Sequence, residues 1–60
     1  LEAANRAGFD VSDIVLTSYD GEKTAVIIFD EGRVPTDGEA VGRLFGILSS
    51  VLPGYTPRID

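Results

Sequence analysis

Lys23-Thr24-Ala25-Val26-Ile27-Ile28-Phe29-Asp30, with the pair Asp20-Gly21 just ahead of it, is the stretch whose reading decides the fold. Its centre is continuous apolar chain rich in β-branched residues, which reads as a strand. Side chains alternate with a period of two, so Ala25, Ile27 and Phe29 share one face and Val26 and Ile28 the other. Upstream, Asp13 to Tyr19 is again dominated by β-branched and aromatic residues. Asp20-Gly21 is a strong turn pair, its glycine supplying positive φ, and the two runs together predict a β-hairpin. A strand apolar on both faces is usual where a sheet is covered on both sides. Two readings of the Val26/Ile28 face follow: loops half-cover it, or a partner or second copy does. Which parity faces the helices is open at this stage.

Outward from the hairpin the elements are helical. Leu1 to Ala7 reads as the last turns of a helix, with Gly8 where a left-handed C-terminal cap would sit. Thr36-Asp37-Gly38-Glu39 has capping-box spacing, in which the Thr36 hydroxyl takes the Glu39 amide. The helix it opens is expected over Asp37 to Leu52, stopped by Pro53-Gly54. Val41, Leu44, Leu48, Val51 and Leu52 form its apolar side, with Phe45 and Ile47 at the margins. Tyr55 to Ile59 is a short third strand, held to an edge or bulge by Pro57, or the start of a linker.

The expected fold is therefore α+β, a small α-β-β-α(-β) domain with an antiparallel hairpin packed against helices. Residues 1–54 are taken as one domain and 55–60 as the third strand or linker start. The expected core is Ile14, Leu16, Ala25, Ile27, Phe29, Val41, Leu44, Leu48 and Leu52.

Composition limits the chemistry. The chain has 60 residues, ten acids, five bases, a net charge of −5, and no His, Cys, Met or Trp. A net negative chain whose bases (Arg6, Lys23, Arg33, Arg43, Arg58) form no stripe is poorly suited to a phosphate backbone. Without histidine or cysteine, the commonest general base and the thiolate nucleophile are missing, so no enzyme is expected. A carboxylate pair among Asp30, Glu31 and Asp37 would need a cleft, for which so short a chain has little room. Asp20-Gly21-Glu22 and Asp37-Gly38-Glu39 lack the twelve-residue calcium-loop spacing, so neither a metal nor a cofactor is expected. No run is long and apolar enough to cross a bilayer, and a cysteine-free chain suits the cytoplasm. Beginning at Leu1 with no methionine, it is expected to be a processed product or a piece of a longer chain. A domain this small buries only about 60% of its surface on folding, so extra stability is expected from tight packing, an oligomer or the rest of a longer chain.

Two further features suggest contact surfaces. Gly42, Gly46 and Ser49, with Ser50 nearby, form a nearly bare ridge on the second helix, opposite its apolar side. Each mid-helix glycine costs about 1 kcal/mol relative to alanine, a cost that a closely approaching neighbour would offset; the alternative is a solvated face with tolerated glycines. Tyr19, ending the first strand, is either an interface anchor or the cover of a core margin. The interface candidates are Val26, Ile28, Gly42, Gly46, Ser49 and Tyr19.

Gly8-Phe9-Asp10-Val11 with Asp13-Ile14, then Val26-Ile27-Ile28-Phe29-Asp30, then Gly32 to Asp37 leading into a helix, resembles the N-terminal domain of the ribosome maturation factor RimP family. The resemblance covers most of the chain and rests on core and turn residues. It implies an α-β-β-α-β domain of a cytoplasmic factor that contacts a small-subunit ribosomal protein and assists assembly without catalysis. From the residues themselves the leading expectation is a non-catalytic protein–protein interaction module, self-associating or docking within a larger assembly. Its expected partner is another protein chain, a second copy, or a further domain of the same polypeptide; membranes and direct nucleic-acid binding are not expected.

Overall fold

The structure, a computed structural model, describes residues 2–60. Leu1, expected in the first helix, lies outside the described residues. The order is α1 (Glu2–Arg6), β1 (Val11–Tyr19), β2 (Glu22–Phe29), α2 (Gly38–Val51) and β3 (Thr56–Ile59). The strands form one sheet in the order β1-β2-β3, with β1 antiparallel and β3 parallel to β2. The fold is α+β, as the patterning indicates, and the tail enters the sheet as a third strand.

Local chemistry explains each junction. Asp20 and Gly21 have φ of 52° and 81°, a two-residue turn with both central residues left-handed, which matches the right-handed twist of the strands. Gly8, at φ 99°, closes α1: its amide reaches the Asn5 carbonyl and the Phe9 amide the Ala4 carbonyl, both at 3.1 Å. Asn5 then accepts the Val11 amide on Oδ1 at 3.0 Å, fastening the helix end to the start of β1.

Pro57 is accommodated by direction. The Asp60 amide bonds the Ile27 carbonyl at 3.4 Å. The period of two therefore turns the Pro57 nitrogen outward, where a missing N–H removes no ladder bond.

The core joins Ala4, Val11, Ala25, Ile27, Phe29, Leu44 and Leu48. Parity is thereby decided: Ala25, Ile27 and Phe29 face the helices, with Ile27 fully enclosed, and Val26 and Ile28 face away. Four points correct the sequence reading. Leu16 is 50% exposed despite lying opposite Ala25 on the helix side of the sheet. Helix α2 makes close approaches to β3 and α1, and Leu16 is not among the described residues packed on the core. Ala4 and Val11 are core residues that the patterning missed. Val11 qualifies because the register slips between Val11 and Asp13, an inserted residue that lets odd Val11 and even Ile14 both face inward. Ile14 and Leu52 pack against the core while half-buried, as expected of them in part, whereas Val41 is half-buried without being among the residues packed on it and Val51 on the helix is 43% exposed. Finally, the cap of α2 is Asp37, not Thr36; its Oδ1 takes the Glu39 amide at 3.2 Å. A carboxylate at that position both accepts the orphan amide and meets the positive end of the helix dipole.

Candidate functional site

With both helices on one side, the other side of the sheet is open. Register and parity give its composition: Asp13, Val15, Thr17 and Tyr19 from β1, Glu22, Thr24, Val26 and Ile28 from β2, Thr56 and Arg58 from β3. Val15 lies directly opposite Val26 and is 43% exposed, and Val26 and Ile28 are half-buried. These three make a short apolar strip. Beside it runs a threonine row, Thr17 opposite Thr24 opposite Thr56.

Tyr19 and Arg58 stand over this row. The Arg58 guanidinium carbon is 4.5 Å from the Tyr19 ring centroid, a cation–π stack between two strands that are not neighbours. Tyr19 registers with Glu22 and Arg58 with Val26, so Thr24 lies between them, beneath the stack. That placement explains why a threonine on an otherwise open face is only 5% exposed. Its hydroxyl donates to the Glu22 carbonyl at 3.3 Å, so it is buried with a partner. Tyr19 itself is 52% exposed, leaving much of its surface available for contact.

Of the candidates, the structure brings Val26, Ile28 and Tyr19 together on this face. Gly42, Gly46 and Ser49 lie elsewhere, exposed on the side of α2 turned away from Leu44 and Leu48 and so on the opposite side of the molecule. A Cβ added at either glycine would meet nothing within 4 Å. The ridge is open to solvent in the isolated chain. Arg58 was missed as a member of the sheet face, because its place above Tyr19 depends on the parallel register of β3, for which no local sequence signal exists.

Asp30, Glu31 and Asp37 are all exposed, and Asp37 is engaged as the helix cap. Among the described residues there is no concave pocket and no cluster of three potential metal-ligating side chains. No described helix is long and apolar enough to cross a membrane. Among protein-family models, curated proteins and solved structures, none matches the chain.

Proposed function

We propose that this chain is a non-catalytic protein-interaction module that docks a protein partner on the helix-free face of its sheet, its setting the cytoplasm. The observation that carries the reading is the strip Val15, Val26 and Ile28 left open beside the Tyr19–Arg58 stack. Covering that strip removes apolar area from water, the main favourable term in association. Tyrosine and arginine are the residue types enriched where interface energy concentrates, and here they are already ordered by each other and lose little freedom on docking. The threonine row and Asp13 supply a polar rim.

Site-specific photo-crosslinking tests the reading. A photoreactive residue at position 26 or 28, in the chain expressed in its own cells, is expected to form protein adducts, whereas one at position 49 forms none. Absence of adducts from both sheet positions in a folded chain overturns it.

A second reading, a domain of a ribosome-assembly factor, is supported by the order helix, two strands, helix, strand, which the resemblance to the RimP family implies. It expects binding to a basic small-subunit ribosomal protein and none to naked RNA. RNA binding without protein binding refutes it.

A further inference from the structure

The two edges of the sheet are unlike. β3 is four residues long and carries Pro57 and Arg58, both features that blunt an edge. β1 is nine residues long, without proline and with Asp13 as its one charge. Past the register slip its regular part runs from Asp13 to Tyr19, and Leu16 is the midpoint.

The hydrogen-bonding direction along β1 follows from its turn. In a two-residue hairpin the flanking pair, here Tyr19 and Glu22, exchanges both bonds, so Tyr19, Thr17 and Val15 direct their backbone groups toward β2. Ser18, Leu16 and Ile14 direct theirs outward. The Ile14 amide agrees, donating to the Asp13 carboxylate at 2.8 Å instead of to β2. Among the described residues no side chain takes the Leu16 or Ser18 amide, and Leu16 itself is half-exposed.

We infer that this edge joins two copies of the chain, β1 antiparallel to β1 about a two-fold axis at Leu16, giving a continuous six-stranded sheet. The inference rests on the proposed interaction function and names a second copy as the partner on this edge. Three arguments select that occupant and that register. First, an axis at Leu16 uses the whole regular segment, Asp13 to Tyr19, and aligns outward-facing groups with outward-facing groups: Leu16 with Leu16, and Ile14 with Ser18 of the second copy. Second, a one-residue shift would set outward-directed backbone groups against groups directed toward β2, so that no ladder bonds could form. A two-residue shift one way sets Asp10 against Asp20 and draws the bulge into the ladder, and the other way shortens the overlap. Third, the register places Asp13 opposite Tyr19 of the second copy, over whose ring that copy's Arg58 lies. All three are on the same face, so the lone acid of each edge meets the other copy's guanidinium, twice by symmetry. As the Ile14 amide turns to the Ser18 carbonyl of the second copy, the Asp13 carboxylate is released for that contact.

Seven residues span about 23 Å at roughly 3.3 Å each, and so short a seam belongs at the small end of interface sizes. A dissociation constant on the order of 10–100 μM is expected. Sedimentation equilibrium up to about 1 mM should show a species of twice the 6.4 kDa chain mass. Leu16→Lys should weaken it at least about tenfold with an unchanged far-UV circular dichroism spectrum. Asp13→Arg and Arg58→Asp should each weaken it about two- to tenfold, and the double exchange should recover most of the loss, which a folding defect cannot mimic. Leu16→Cys, in a chain without other cysteines, should oxidise readily to a disulfide dimer, since hydrogen-bonded cross-strand Cα atoms lie about 5.5 Å apart. A chain monomeric at every concentration overturns the inference. So does a dimer that survives Leu16→Lys and is lost on Val26→Lys. A monomer that still yields crosslinks from positions 26 and 28 refutes the edge dimer alone; loss of both signals refutes the docking function as well.

Discussion

Replacing Gly42 and Gly46 together with alanine is the sharpest test of how the outer side of α2 is read. Both glycines sit well inside a helix of 14 residues, neither has a positive φ, and a methyl group at either would meet nothing within 4 Å. No steric term therefore opposes the change, and the difference comes from the glycine backbone entropy lost on folding. At about 0.8–1.0 kcal/mol per site the pair should gain about 2 kcal/mol. For a domain of this size about 1 kcal/mol moves the melting midpoint by about 4–8 °C, so the double variant should melt about 8–16 °C higher. Thermal melts followed by circular dichroism at several protein concentrations measure it. The expected result is a gain in midpoint over the unsubstituted chain that is the same at every concentration. A lower midpoint, or a gain confined to dilute protein, would show that another backbone packs on the ridge in solution and refute the reasoning.

Two other substitutions probe the joints of the fold. Asn5→Ala removes the acceptor of the part-buried Val11 amide and should cost about 1 kcal/mol, read by urea denaturation with an unchanged m-value; Asn5→Asp, which keeps an acceptor, should recover most of it. Asp37→Ala should cost about 1 kcal/mol and Thr36→Ala a few tenths, the reverse of what a capping box at Thr36 requires, again by urea denaturation.

What could be read from the residues followed from how local each feature is. The hairpin, its left-handed turn at Asp20-Gly21, the Gly8 cap and the length of α2 depend on neighbours in sequence, and the patterning places them to within two residues. The parity of β2 was open because Ala25, Ile27 and Phe29 and their neighbours Val26 and Ile28 are equally apolar; burial by α2 decides it. Leu16 shows the limit of parity arguments, which assign a face but say nothing of what stands over it. Val11 was hidden by one inserted residue, which reverses the alternation without a glycine or proline to mark it. The helix-free face of the sheet was partly legible in Val26, Ile28 and Tyr19. The place of Arg58 on it depends on two strands meeting a partner that lies between them, and that is a property of the assembled sheet.

The stack of Arg58 on Tyr19 also has a consequence for how the chain can be watched. With no tryptophan, ultraviolet emission comes from Tyr19 and Tyr55, and each ring has a cationic side chain nearby, Arg58 at 4.5 Å and Lys23 at 5.9 Å. Arg58 reaches Tyr19 only when β3 has docked beside β2, after α2 has carried the chain back across the sheet. The local hairpin should close within about 1–10 μs, well before that crossover can form. Tyr19 is thus a native optical reporter for the last strand to arrive, placed where the earliest and latest parts of folding can be told apart without a label.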